Sequence, residues 1–244
     1  MNVIALIPAR YQSTRFPAKL MQDLAGAPVI WRTYQSVVAT QLFDDVLVVT
    51  DHASIYDAIV SRGGKAMFSD GEYECGTDRI AAAAEQLPNA DIIINIQGDE
   101  PFSQKAPLAA LINAFKEDAN LPAASLIQIL EDEHLIQNPN NVKVIIDKHQ
   151  HAIYFSRSPI PYKRDASVHN PYYKHIGIYA FRRQMLIDFT KIPQGPLEKS
   201  EMLENLRFIE NRIPIKMLLC DYKNVGIDTP EDLEIARAYY ENQK

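Results

Sequence analysis

The chain has 244 residues, with 31 acidic and 25 basic side chains, a formal net charge of −6 and 47% hydrophobic residues. These values are ordinary for a globular protein, and the acidic balance argues against general affinity for nucleic acid or an anionic membrane. The two cysteines have no CxxC spacing, which favours a reducing compartment, and no apolar stretch approaches the roughly 20 residues of a membrane helix. We therefore expect a cytoplasmic protein.

In chain order, short β-branched stretches alternate with longer stretches of helical period. The stretches NVIALI, DVLVVT and DIIINI predict strands, and DIIINI is apolar on both faces. Helical periods begin near Ala27, Ala53, Thr77 and Gln104. Strands that are apolar on both faces belong in a parallel sheet covered by helices, so the first half indicates an α/β fold.

After about residue 120 the pattern changes. NVKVIID and HAIYFSR predict an antiparallel hairpin, YKHIGIYAFR a further strand, and residues 196–212 one amphipathic helix. A last strand, IKMLLC, and a helix from Pro230 close the chain. We expect a single domain over 1–244, a doubly wound, mostly parallel α/β sheet with an antiparallel elaboration at about 120–215. Ligands of such sheets bind at the carboxyl ends of the parallel strands.

The loop after the first strand, from Pro8 to about Ala27, is much longer than the roughly 2–6 residues usual for this connection. It carries Arg10, Arg15 and Lys19, which suit phosphate oxygens, although a solvated loop would also accept three cations. Its position after strand one favours a polyphosphate site. Neither a Walker loop nor a GxGxxG motif is present.

Two carboxylates are candidates for a metal site. Asp99 follows a buried strand in INIQGDEPF, where Gln97 can also offer a donor and an acceptor to a base edge. Asp228 lies just outside a helix start made by Thr229 and Pro230. Together the two carboxylates would complete a Mg²⁺ site, although the sequence does not show that they meet.

The stretch ECGTDRIA predicts a helix start with room for a ligand. Gly76 allows close backbone approach, and Thr77 or Asp78 can cap the helix. Capping does not explain Arg79, because the helix dipole disfavours a cation at this end. Arg79 is therefore the functional candidate in this stretch.

The ordered set of motifs resembles the 3-deoxy-manno-octulosonate cytidylyltransferase (CMP-Kdo synthetase) family nearly end to end. It includes IPARYQSTRFPAKL, VVTDH, CGTDRIA, NIQGDEPF, NPNNVKVIID, KHIGIYAFR, LEKSEMLENLR and VGIDTPEDLE. The resemblance implies a nucleotide-diphospho-sugar transferase-like fold and an enzyme that converts CTP and Kdo to CMP-Kdo and pyrophosphate for lipopolysaccharide biosynthesis. It also implies Mg²⁺ as the cofactor and a homodimer, with no nucleic-acid or membrane partner.

The resemblance assigns roles to individual residues. The catalytic residues that hold the CTP phosphates are Arg10 and Lys19. Around them it places the nucleotide-binding residues Ser13, Arg15, Gly76, Thr77, Arg79 and Gln97. The magnesium ligands are Asp99 and Asp228. The sugar acid would face Arg157, His175, Tyr179, Glu198, Glu201 and Glu204. From the residues alone, Arg157 is equally a strand-end charge, His175 an ordinary strand histidine, and the three glutamates a solvated helix face.

The chain departs from the family pattern at Ala18, Leu20, Cys75 and Asn205. Because Asn205 lies on the stretch assigned to the sugar, the resemblance leaves the exact sugar open. One alternative is a related enzyme for amino-substituted Kdo, for a sialic acid or for a nucleotide other than CTP. Others are a non-catalytic nucleotide-binding module and a glycosyltransferase, although the chain offers GDEP in place of the DxD motif.

Overall fold

The structure, a computed structural model, describes residues 1–13, 16–71, 73, 75–165, 167–168, 170–222 and 225–242. The chain divides into two compact units, Met1–Ala109 with Lys223–Lys244, and Ala110–Tyr222. In the described part of the chain, no helix combines the length and apolarity that crossing a membrane requires. The single domain over 1–244, with its elaboration at about 120–215, stays a prediction.

The first unit is built on parallel strands in the order β3-β2-β1-β4. Their bounds are β1 Val3–Ala9, β2 Asp45–Thr50, β3 Ala66–Phe68 and β4 Ile92–Asn95. The strands β1 and β4 are buried along most of their length, as expected for central strands of a parallel sheet. The prediction of a mostly parallel α/β fold is therefore confirmed, and β3 is a strand that the sequence reading missed.

The helices of the first unit are α1 Val29–Ala39, α2 Ala53–Val60, α3 Gly76–Glu85 and α9 Pro230–Glu241. A further helix, α4 Lys105–Glu117, crosses from the first unit into the second. Helix α1 follows Pro28 and buries a stripe with the spacing of one helix face. Its members are Val29, Ile30, Thr33, Tyr34 and Val37.

The second unit contains mostly antiparallel pairings. Its strands are β5 Ala123–Leu130, β6 Lys143–Ile146, β7 Ala152–Ser156, β8 Tyr172–Arg182 and β9 Ile215–Leu219. Strand β5 pairs antiparallel with β8 and parallel with β9, and β6 pairs antiparallel with β7. The predicted hairpin is confirmed, whereas the sequence reading assigned no strand at β5.

The helices of the second unit are short: α5 Glu133–Gln137, α6 Arg183–Phe189, α7 Pro196–Glu201 and α8 Leu206–Glu210. The prediction of one amphipathic helix over residues 196–212 is wrong. Helix α7 ends at Glu201, its C-cap Met202 adopts the left-handed conformation with φ 52°, and α8 starts only at Leu206. The helical spacing of the three glutamates is therefore not realised on one helix face.

Candidate active site

A cleft of about 380 Å³ opens in the first unit beyond the ends of β1 and β4. This is the edge of a parallel sheet at which ligands are expected. The predicted residues that line it are Arg10, Ser13, Lys19, Gly76, Arg79, Gln97, Asp99 and Asp228. Arg15 lies outside the described residues. One cleft thus brings together most of the residues that the sequence reading assigned to the nucleotide and the metal.

The floor of the cleft requires glycine at position 98. A Cβ atom on Gly98 would lie 2.9 Å from the backbone oxygen of Pro8, closer than real Cβ contacts allow. The carbonyl of Gly98 also accepts a 2.8 Å hydrogen bond from the Thr33 hydroxyl on α1. The loop that follows β4 is therefore held close against the end of β1, and this places Asp99 beside the cationic loop.

Lys19 is the centre of the cleft's ion pairs. Its Nζ atom donates to Asp99 Oδ2 at 2.5 Å and to Asp228 Oδ1 at 2.8 Å. Burial acts to lower the pKa of Lys19, but the attraction of Asp99 and the hydrogen bonds to both carboxylates outweigh it. The net effect raises the pKa of Lys19, which keeps the ammonium group charged.

Asp228 is placed by the start of α9. Thr229 and Asp232 form a capping box, and the Asp232 carboxylate also accepts a hydrogen bond from the backbone N–H of Asp228 at 3.0 Å. The backbone N–H of Ile227 donates to the carbonyl of Asp99 at 3.0 Å. These bonds bring the predicted metal pair, Asp99 and Asp228, to the same ammonium group.

The pair Asp99 and Asp228 fits a magnesium ion by its chemistry. Two carboxylates that share one ammonium group form a cation-binding pair, and their oxygens are the ligands that Mg²⁺ prefers. Within the described residues, no cluster of three or more His, Cys, Asp or Glu side chains is arranged to hold a metal. The pair therefore fits an ion that completes its shell with phosphate oxygens and water.

Arg79 is buried in the first turn of α3 and lines the cleft. Its Nη1 donates to Ser69 Oγ and its Nη2 to Asp51 Oδ2, both at 2.6 Å. The prediction that Thr77 or Asp78 caps this helix is wrong, because both lie inside it and the N-cap is Cys75, which makes no side-chain capping bond. A thiol is a weak hydrogen-bond acceptor, which agrees with the absence of a side-chain cap from Cys75.

In the second unit, Glu201 and Arg157 are bound to each other and to the backbone. Glu201 accepts hydrogen bonds from Ser156 Oγ at 2.6 Å and from the backbone N–H of Arg157 at 2.9 Å. The Arg157 guanidinium donates to three backbone carbonyls, those of Glu201, Pro139 and Met202. The structure thus fixes the orientation of both predicted sugar residues.

A fully buried lysine belongs to the same region of the second unit. Lys143 on β6 is 0% exposed, and its Nζ donates to the carbonyl of Asn138 at 3.1 Å. Burial lowers the pKa of Lys143, with Glu201 opposing this effect and Arg157 adding to it. Lys143 and Arg157 are therefore two basic side chains close enough to interact, with the Glu201 carboxylate beside them.

His175 and Tyr179 lie beside an irregularity in the pairing of β5 with β8. The register shifts between Ser125 and Leu126, and Ser125 Oγ contacts the carbonyls of Ile176 and Ile178 and lies 3.1 Å from His175 Nε2. The His175 and Tyr179 rings are 5.2 Å apart. Desolvation, with a smaller effect of Lys174, lowers the pKa of His175 to about 3, so the ring is neutral.

The three predicted glutamates have different environments. Glu198 is buried and paired with Arg207 through hydrogen bonds of 2.5 and 2.7 Å. Glu201 is bound to Ser156 and Arg157 as described. Glu204 lies between α7 and α8. The sugar-binding role of these residues stays a prediction, and the bonds of Glu198 and Glu201 connect parts of the second unit's own chain.

Sequence reasoning missed Asp51, Ser69, Lys143 and Ser156. Asp51 follows β2 and Ser69 follows β3, so the rule that ligands gather at the carboxyl ends of parallel strands applies to both. The motif VVTDH contained Asp51, but the sequence reading selected no residue there. For Lys143 the position inside a β-branched strand was the available signal, because a lysine on a buried strand needs a partner.

A cationic loop and a paired carboxylate site at the carboxyl edge of a parallel sheet define a nucleotide-binding α/β enzyme of the nucleotidyltransferase class. Residues 4–219 match the family model described as cytidylyltransferase. A relative from Flavobacterium johnsoniae, called 3-deoxy-manno-octulosonate cytidylyltransferase, is 55% identical over 98% of both chains. A relative of the same name from Christiangramia forsetii is 52% identical over 97% of this chain and 96% of its own.

Solved structures agree with these matches. A CMP:2-keto-3-deoxy-manno-octonic acid synthetase complexed with CTP superimposes with a TM-score of 0.95, at 36% identity and with both chains fully covered. A 4-diphosphocytidyl-2C-methyl-D-erythritol synthase from Anaerococcus prevotii shares the fold, with a TM-score of 0.66, 18% identity and 98% of each chain covered. The chain belongs to the 3-deoxy-manno-octulosonate cytidylyltransferase family.

Proposed function

We propose that this enzyme joins CTP and 3-deoxy-D-manno-octulosonate (Kdo) to give CMP-Kdo and pyrophosphate. The names of its relatives and the CTP complex of a 36% identical structure support both substrates. The single observation that carries the proposal is Lys19 between Asp99 and Asp228, beside Arg10 in one cleft. A triphosphate and its metal ion need this combination of charges.

The reaction is an in-line displacement at the α-phosphorus. The anomeric oxygen of the sugar forms a bond to this phosphorus, and the bond from phosphorus to the oxygen that bridges the α- and β-phosphates breaks. Pyrophosphate leaves with the bond electrons, and the hydroxyl proton passes to solvent. Such chemistry depends on positioning and charge neutralisation, which Arg10 and Lys19 would supply at the phosphate oxygens.

Mg²⁺ is part of the proposal, with Asp99 and Asp228 as its protein ligands. When bound, it would neutralise phosphate charge and help to orient the triphosphate. Lys19 would then give up its bond to one or both carboxylates and bind phosphate oxygens, because the metal ion would balance the charge of the carboxylates. The side chain of Gln97, which lines the same cleft, would contact the base or ribose.

For the sugar acid we propose the cluster of the second unit. The guanidinium of Arg157 supports a carboxylate ligand there, with the basic side chain of Lys143 near it and His175 and Tyr179 as partners for hydroxyl groups. The product would serve lipopolysaccharide biosynthesis. A homodimer and a cytoplasmic location are likewise proposed from the family resemblance. The mass of the protein in solution tests the homodimer.

The decisive experiment measures pyrophosphate release with Mg²⁺ and Kdo in four reactions that contain CTP, UTP, ATP or GTP. We expect release with CTP that requires both sugar and metal. The variant Asp99→Asn should abolish it while Asp57→Asn, a change of an exposed aspartate on α2, should not. Release only with amino-substituted Kdo or a sialic acid would reassign the sugar. A glycosyltransferase would release no pyrophosphate from any of these mixtures.

A further inference from the structure

Arg79 lies at a position that is unfavourable for an arginine in two respects, burial and the helix dipole. Its side chain is only 8% exposed, and it lies in the first turn of α3, where the helix dipole disfavours a cation. Burial of an unpaired guanidinium is strongly unfavourable. The carboxylate of Asp51 balances this charge at 2.6 Å, so Arg79 depends on Asp51 to remain at the wall of the cleft.

Asp51 and Ser69 are themselves held by the ends of neighbouring strands. The backbone N–H of Ser69 donates to the carbonyl of Thr50 at 2.9 Å, and that of His52 donates to Thr50 Oγ1 at 3.3 Å. The ring of His52 stacks on Tyr11 in the first loop, with centroids 3.9 Å apart. These bonds fix the backbone on both sides of Asp51 and at Ser69, and a fixed backbone limits where the two side chains can place Arg79 before the ligand arrives.

The two contacts determine how Arg79 presents itself to the cleft. An arginine has five N–H donors and no acceptor, and Asp51 and Ser69 engage one donor on each terminal nitrogen. The Tyr73 ring, 5.1 Å from the guanidinium carbon, covers one face of the group. The plane of the guanidinium is thereby fixed, and its further donors suit a ligand edge that carries adjacent acceptors.

We propose that Asp51, supported by Ser69, is a positioning residue that orients Arg79 for recognition of the pyrimidine base; this inference rests on the proposed use of CTP. Cytosine carries two adjacent acceptors, O2 and N3, whereas N3 of uracil carries a proton. A guanidinium that is fixed in its plane and only donates therefore favours cytosine. If Asp51 no longer fixes it, Arg79 loses this preference before it loses general attraction for the nucleotide.

The test compares Asp51→Ala, Asp51→Asn and Ser69→Ala with Asp57→Asn as the matched surface control. We expect Asp51→Ala to raise KM for CTP about tenfold with kcat within about twofold, because base contacts bind ground and transition states alike. The preference for CTP over UTP should also be smaller in Asp51→Ala than in wild type. Asp51→Asn, which keeps a hydrogen-bond acceptor, should lie between Asp51→Ala and wild type, and Asp57→Asn should match wild type.

Two further measurements keep the outcomes distinct. A purely structural Asp51 would lower Tm in Asp51→Ala yet leave the CTP-to-UTP ratio at the wild-type value, and that result would overturn the proposal. If wild-type protein releases no pyrophosphate, the proposed function fails. Calorimetric binding of CTP and UTP then decides the positioning role: a preference for CTP that Asp51→Asn weakens supports it, and its absence overturns it.

Discussion

Lys19 lies within hydrogen-bond distance of two carboxylates, Asp99 and Asp228, that are candidates for binding a metal ion. The ammonium group therefore takes the place of a metal ion between them, and the Lys19 side chain is 15% exposed. Two carboxylates this close would repel each other if no cation lay between them. Lys19 thus has two roles that follow from one geometry: it holds the metal ligands together, and it is available to phosphate oxygens when a metal replaces it.

This geometry predicts how Lys19→Met responds to magnesium. Without metal, the variant leaves Asp99 and Asp228 uncompensated and should have a lower Tm than wild type. Added Mg²⁺ should raise the Tm of the variant more than that of wild type, because the ion no longer displaces a lysine. Differential scanning fluorimetry without nucleotide measures this.

A suitable control is Lys65→Met, because Lys65 pairs with the single carboxylate of Asp45 at the surface and is 61% exposed. Its Tm should show no additional dependence on Mg²⁺. Equal magnesium shifts in wild type and Lys19→Met would contradict the view that lysine and metal share the same two carboxylates.

At the scale of elements, the start of α9 combines stability with site geometry. Thr229→Ala removes the hydroxyl that accepts from Asp232 N–H and should lower the free energy of unfolding by about 1 kcal/mol. Asp232→Ala removes an acceptor of two backbone N–H groups, including that of Asp228, and should weaken Mg²⁺ binding as well. Chemical denaturation and calorimetric titration of Mg²⁺ separate the effects. Unchanged metal affinity in Asp232→Ala would contradict this role.

The break between α7 and α8 has a clear cause in the Glu198–Arg207 ion pair. Nine residues of continuous helix would separate the two backbones by about 13 Å and turn the side chains to opposite faces. The hydrogen bonds of 2.5 and 2.7 Å instead require the chain to turn, which it does at Met202. The amphipathic pattern of residues 196–212 contains no sign of this long-range pairing.

The same pair yields a stability prediction for the second unit. Arg207→Met leaves the Glu198 carboxylate buried without its partner and should lower the free energy of unfolding by roughly 3–5 kcal/mol. The double variant Glu198→Leu/Arg207→Met should recover much of this loss, because it no longer contains an unpaired buried carboxylate. Urea denaturation of both variants measures the difference, and equal losses in the two would refute the explanation.

At the scale of the whole molecule, acid stability should depend on His175. Its folded-state pKa of about 3 lies below the ordinary 6.5, so the neutral ring contributes stability above pH 6.5 that is lost as pH falls toward 3. The loss is up to about 1.4 kcal/mol per pH unit in that window. We expect the free energy of unfolding, measured by denaturation at several pH values, to change less with pH for His175→Gln than for wild type. His134→Gln, which changes an exposed histidine, should show the same pH dependence as wild type. The same pH dependence of stability in wild type and both variants would contradict the prediction.

Local sequence patterns were sufficient for most of the first unit. The apolar runs of β1, β2 and β4 and the capped start of α9 depend on neighbours within a few positions, so the sequence predicted them. The order of parallel strands then implied that Arg10, Lys19 and Asp99 would share one edge. Strand β3 was missed because a strand of three residues is too short to show a periodic pattern. The eight residues of β5 were assigned to no element from the sequence.

Composition and motif order by themselves indicated the class of the protein and its family, and they supplied the residues that we predict for the nucleotide. The tertiary structure alone decided which charges meet. Lys19 and Asp228 are 209 positions apart, and the Arg79–Asp51 and Glu198–Arg207 pairs join residues outside each other's local element. The physical reason is that hydrogen bonds and ion pairs act over a few ångströms, whereas distances along the chain do not specify distances in space until the chain has folded.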